Sequence, residues 1–129
     1  MFVDASALVG ILNSEPEAPA LLKALEAQAA LYTSPVALFE ATAAIMRERK
    51  ANASEAGAII KELLTILGVK VMHITESIGF DATLAFEQYG KGRHPAALNM
   101  GDCFSYACAK AYRVPLLYKG NDFSQTDLA

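Results

Sequence analysis

The chain has 129 residues, 53% of them hydrophobic and 19% charged, and carries a net charge of −3. This length favours one domain spanning residues 1–129, able to bury roughly two-thirds of its unfolded surface in a single core, and the composition excludes a disordered chain. The acidic balance argues against a simple duplex-gripping protein, which carries a basic excess, and no apolar run reaches the ~18 residues of a membrane span.

The N-terminus lacks a basic segment, apolar run and cleavage site, so a cytoplasmic protein without a signal peptide is expected. "MFV" reads as a short buried strand ended by Asp4. Taken alone, Asp4 reads as an N-cap for the helix beginning "ASALV". "SALVGIL" and "EAPALLKALEAQAAL" are helical in composition, with Pro16 and Pro19 near the second start. A short strand follows in "LYT", and then Ser34 caps a helix with Pro35 at its first position. Glu40 lies too deep in this helix to cap it and shares a face with Ala43, Ala44 and Arg47. It is either an ordinary solvent-facing glutamate or a carboxylate over an open floor of alanines.

Residues 54–67 form a helix with an apolar stripe at Ile59, Ile60, Leu63, Leu64 and Leu67, closed by Gly68. "VKVMHI" alternates like a strand that includes His73, expected as a structural histidine. Residues from Thr75 to Gly90 return to helical periodicity, and "KGRHPAALNM" is an exposed loop that holds His94. A long helix follows from about Asn99 to Tyr112, with Asn99 as cap and Asp102 at the third helical position. On a helical wheel Asp102 lies opposite Met100, Phe104, Ala107 and Ala111, so it need not be buried in the main core, although small or semi-polar Ser105, Tyr106 and Ala109 on its own side leave that face partly covered. Cys103 and Cys108 point in different directions and read as small, unpaired core residues. "VPLLYKG" is the last strand, and Asp122 just after it suits an Asx-turn.

Strands alternating with helices predict a parallel α/β sandwich. Asp4 and Asp122 follow strands, and Glu40 and Asp102 lie in early helical turns, so the topology gathers all four at one sheet edge. Two carboxylates ~4 Å apart repel by about 4 kcal/mol at an effective dielectric of 20. Such a cluster persists by taking up protons or a cation, and oxygen-only donors suit Mg²⁺ or Mn²⁺.

"FVDAS", "SPVALFEA", "NMGDCFSYACAK" and "PLLYKGNDF" together resemble the successive motifs of PIN-domain ribonucleases, most closely the VapC toxins of type II toxin–antitoxin modules. The resemblance runs nearly the whole chain. It implies a PIN-like sandwich with a central parallel sheet of four to five short strands flanked by helices. It also makes Asp4, Glu40, Asp102 and Asp122 the catalytic acids, with Asp4, Asp102 and Asp122 as metal ligands. Ser6 matches the family's small hydroxyl residue and Asn121 a second polar position beside the last acid. Asp127 reads as a surface or turn residue. The chain stops at Ala129, where relatives run on into a last strand, so that edge strand is expected to be short or absent.

The implied function is that of a Mg²⁺- or Mn²⁺-dependent endoribonuclease toxin leaving 5′-phosphate and 3′-hydroxyl ends, with RNA as substrate. A cognate antitoxin and a homodimer are the implied protein partners, and no membrane is involved. The apolar early helices are candidates for the antitoxin groove. Arg47, Arg49, Lys50, Lys91, Arg93 and Lys119 are candidate phosphate contacts. Three rivals fit less well. A receiver domain needs paired acids after its first strand, and a haloacid-dehalogenase-like phosphatase needs an aspartate where Ser6 stands. A non-catalytic interaction domain does not require four acids.

Overall fold

Parallel strands cannot be joined by tight turns, and the chain joins its strands through helices. The computed structural model describes residues 1–129. Its strands are β1 (Phe2–Val3), β2 (Leu31–Thr33), β3 (Val69–Val71) and β4 (Leu116–Leu117). They form one parallel sheet in the order β3-β2-β1-β4. Helices α1 (Ala5–Leu12) and α2 (Ala18–Glu26) lead from β1 to β2. Helices α3 (Pro35–Arg49) and α4 (Ala53–Leu67) lead on to β3, and α5 (Glu76–Tyr89) and α6 (Met100–Tyr112) lead to β4.

The helix boundaries follow local chemistry. Ser34 Oγ accepts the Ala37 N–H at 3.1 Å, and Pro35, lacking an N–H, occupies the first helical position at no cost. Asn52 and Glu55 form a reciprocal capping box at the start of α4, one residue earlier than its composition suggests. Gly68 closes that helix at φ 73°, in the left-handed region a glycine adopts without strain. Helix α2 stops at Glu26, short of the predicted "AQAAL" extension.

The core is centred on the inner faces of the sheet and helices, where Phe2, Leu8, Ile45, Leu98 and Phe123 are essentially inaccessible. Each such side chain contributes about 1.5–3 kcal/mol by leaving water. The stripes of α1 and α2 belong to this core through Leu8, Ile11, Leu21 and Leu25, so those helices offer less groove than expected.

Two expectations are corrected and one holds. Strand β3 ends at Val71, and His73 is an exposed residue beyond it rather than a structural strand residue. The sheet has four strands, within the expected four to five, and the segment after Lys119 folds as turns anchored by buried Phe123 and adds no edge strand. Helix α6 buries nearly its whole circumference, since α5, α3, β1 and β4 all pack on it. Asp102 is therefore inside, while Met100 of the supposed core stripe is 69% exposed.

This topology locates the site. The chain runs outward through β1, β2 and β3, then returns to place β4 on the other flank of β1. Ligand sites of open parallel sheets form beyond the strand carboxyl ends where the order reverses. Here that crevice lies between the segments leaving β1 and β4, and these carry Asp4 and Lys119 to Asp122.

Candidate active site

Asp4 leaves β1 and caps α1, and every polar atom of its side chain is engaged. Its Oδ2 accepts the Ser6 N–H at 3.0 Å and the Ser6 hydroxyl at 2.6 Å. Its Oδ1 accepts the hydroxyl of Ser105 at 2.6 Å. Ser6 Oγ in turn accepts the Lys119 N–H at 3.0 Å, which ties the segment after β4 to the end of β1. The carboxylate is only 5% exposed.

Asp102 sits at the third position of α6, where its Oδ2 accepts the Asn99 N–H at 3.1 Å and Asn99 Oδ1 accepts the Asp102 N–H at 2.9 Å. Burial pushes its pKa up to about 6. The Asn99 hydrogen bond works against that rise, and the charges of Asp122 and Asp4 add to it. Glu40 is half-buried on α3, and its carboxyl lies directly over Gly101, where a Cβ would collide with it. Burial, followed by the charges of Asp4 and Asp102, pushes Glu40 up to about 7. The solvent-facing reading of Glu40 is thereby set aside. Asp122 is exposed beside this group.

An open cavity of about 350 Å³ adjoins these acids, lined by Ser6, Glu15, Glu40, Lys119 and Gly120 among others. Lys119 is the only cation on its wall and is already committed, pairing with Glu15 and, at 3.6 Å, with Glu17. The carboxylates thus crowd without a protein cation among them. Such a group takes up protons or a metal ion, and its all-oxygen donors suit a hard divalent ion. The residues fit by chemistry rather than by preset spacing, since no three acidic, histidine or cysteine side chains converge closely enough to chelate one ion as they stand.

A second cavity, of about 240 Å³ between α5 and α6, is lined by Ala82, Phe86, Met100, Cys103 and Phe104. Burial raises the Cys103 thiol to about 11, leaving this space no group that titrates near neutrality.

The remaining sequence-predicted residues divide. Ser6 lies beside Asp4, to which its hydroxyl donates, and Asn121 is an exposed turn residue whose backbone carbonyl accepts the Ser124 hydroxyl. Asp127 lies away from the acids. It accepts hydrogen bonds from Tyr106 Oη at 2.6 Å and Lys110 Nζ at 2.5 Å, and these pin the C-terminal segment to α6. Arg47, Lys50, Lys91 and Arg93 are exposed. Arg49 donates to Asn13 at 3.0 Å, and Arg93 stacks over Phe86. His94 lies in the predicted loop, where its Nδ1 accepts the Ala96 N–H. Two site residues carry no signal of their own in the sequence. Gly101 is an unremarked glycine beside Asp102, and Ser105 meets a partner 101 residues away.

The PIN domain family model matches residues 1–128. The chain belongs to the PIN domain family. A VapC ribonuclease of Rhizobium meliloti is 45% identical to it, with 98% of each chain covered. Ribonuclease VapC of Mycolicibacterium smegmatis is 40% identical over 100% of this chain and 98% of its own. Full-length matches at this identity place the PIN domain described here among the VapC ribonucleases. The fold agrees with the crystal structure of Mycobacterium tuberculosis VapC20, described as a Sarcin-Ricin loop cleaving toxin. That match has a TM-score of 0.76 and 17% identity over 99% of this chain and 95% of that one. A toxin–antitoxin complex from Klebsiella pneumoniae superposes with a TM-score of 0.69 and 17% identity, covering 98% of this chain and 92% of that one.

Proposed function

We propose that this chain is a metal-dependent endoribonuclease and the toxin of a toxin–antitoxin pair. The observation that carries the reading is the gathering of buried Asp4 and Asp102 with half-buried Glu40 at the strand-order reversal, with Glu40 and Asp102 pushed toward neutrality. The VapC ribonucleases it matches along their full lengths support RNA as the substrate.

Asp4, Asp102 and Asp122 would hold the Mg²⁺ or Mn²⁺ ion. When bound, that ion supplies Lewis-acid chemistry, neutralising phosphate charge and lowering the pKa of an attacking water. Glu40, with a pKa near the working pH, is suited to holding and releasing a proton at its carboxylate, the property of an efficient general base. Ser6 orients Asp4 and joins it to the Lys119 backbone. Lys119 is the phosphate contact best supported by position, since it lines the cavity, and exposed Arg47, Lys91 and Arg93 extend the grip along the RNA backbone.

The Klebsiella toxin–antitoxin complex supports a small antitoxin as protein partner. Exposed Phe39, Phe80, Leu84 and Met100 on α3, α5 and α6 support further burial against another chain, as in a homodimer. No helix is long and apolar enough to cross a membrane.

The test is cleavage of a total-RNA pool by purified, antitoxin-free protein with Mg²⁺ or Mn²⁺, beside EDTA and Asp102→Asn controls. Discrete cuts that require the metal and vanish in the variant are expected. Equal inertness of both proteins, with no Mn²⁺ bound in calorimetry, would return the four acids to caps and turns.

A further inference from the structure

We propose that Ser105 is a positioning residue that sets which oxygen of Asp4 faces the metal and in what direction. The inference rests on the metal-site reading above and deepens it. A carboxylate offers about four lone-pair sites. Two on Oδ2 are filled by the N–H and O–H of Ser6. The direction of the Ser6 proton is settled, because Ser6 Oγ accepts the Lys119 N–H and so turns its own hydrogen to Asp4. Oδ1 receives Ser105 alone, which leaves it one lone pair. Oδ1 would therefore be the oxygen free to hold the ion, and Ser105 sets the rotation of the carboxyl plane about it.

The hydrogen bonding and placement of Ser105 separate it from an ordinary helical serine. A helical serine usually bonds back to the carbonyl of residue i−4, whereas Ser105 Oγ reaches across to the end of β1. The residue is 1% exposed, so no water competes for the hydroxyl. Ser105 also lies one turn beyond Asp102 on the same helix, so its hydroxyl ties the orientation of one metal ligand to the element that carries another. An O–H···O⁻ bond of 2.6 Å is in the short, charge-assisted class.

The experiment is Mn²⁺ titration of the antitoxin-free protein, followed by electron paramagnetic resonance of the unbound ion and independent of RNA cleavage. Wild type is compared with Ser105→Ala and with Ser105→Cys, which keeps the volume but donates weakly. Loss of a hydrogen bond behind a ligand typically weakens metal binding 10–100-fold. About tenfold weaker Mn²⁺ binding is expected in both variants, each folded but melting below wild type, since a buried charged acceptor loses its donor. Wild-type affinity in the Ala variant would overturn the proposal and leave the metal site standing. The same holds if the Ala variant is weakened and the Cys variant is not, since packing would then be the cause. If Ser105→Ala does not fold, the Cys variant decides alone. A wild-type protein that binds no Mn²⁺ would overturn the metal-site reading itself, and this proposal with it.

Discussion

Replacing Gly101 with alanine should separate activity from stability. The Glu40 carboxyl occupies the space a Cβ would take, so Gly101→Ala must displace that carboxyl by at least about 1 Å to restore van der Waals contact. Gly101 does not have a positive φ, and alanine suits its helical backbone. Its helix propensity exceeds that of glycine by up to about 1 kcal/mol, less in a first turn. The group that must yield is the end of a flexible side chain, which moves at little cost to the fold. The melting temperature should stay within about 3 °C of wild type. Activity should fall about 100-fold, the typical cost of a 1 Å misplacement in an active site, which equals about 2.7 kcal/mol in the barrier. The assay is single-turnover cleavage of a fluorescent RNA at saturating Mn²⁺, with thermal melts in parallel. Wild-type rates in a folded Gly101→Ala protein would refute a catalytic role for the position of Glu40. A loss of melting temperature as severe as the loss of rate would show the contact to be structural.

Other perturbations follow from the same geometry. Glu40 and Asp102 bind protons more tightly folded than unfolded, so metal-free stability should fall as pH rises from about 4.5 toward about 7. Thermal melts across that window should show the decline, and Glu40→Gln should flatten it. Added Mn²⁺ should oppose the decline, because binding requires the deprotonated acids. In an Asp102→Asn background, Lys119→Ala should weaken RNA binding and reduce the salt slope by about 0.7, one single-strand phosphate contact. Glu15→Gln, which removes the nearer of the two carboxylates paired with Lys119, should tighten binding in the same fluorescence-anisotropy assay. Tyr106→Phe removes the donor that holds Asp127 and should cost about 1 kcal/mol in urea unfolding while cleavage stays unchanged.

Most local signals whose partners lie within four residues were legible in the sequence, the Asn52–Glu55 box being the exception. The Ser34–Pro35 start, the Thr75 cap, the Gly68 end and the Asn99–Asp102 box all have partners one helical turn away. Strand alternation gave the parallel class, because a strand cannot return parallel without a crossover. The burial of α6 was only partly legible, for a physical reason. A helical wheel assumes one covered side, whereas α6 is enclosed by two helices and two strands and buries Asp102, Ser105 and Cys108 together. Ser105 and Gly101 have no local signature, since what they touch arrives from β1 and from α3. His73 was drawn into a strand by the alternation of "VKVMHI", but the ladder with β2 ends at Val71.

Capping and catalysis are not rival explanations for these acids. Asp4 caps α1 and Asp102 completes the box at the start of α6, so each lies at the positive end of a helix, where a negative charge is favoured. In each case the cap engages Oδ2 and leaves Oδ1 out of the helix's own hydrogen bonds. Oδ1 of Asp102 accepts nothing from the protein, and Oδ1 of Asp4 accepts only Ser105. The caps therefore hold two carboxylates close together and aim one oxygen of each away from its helix. Glu40 has no cap, is held by burial over Gly101, and its carboxyl is pushed up further than that of Asp102. That division suits a site in which two acids serve as fixed ligands and the third exchanges a proton.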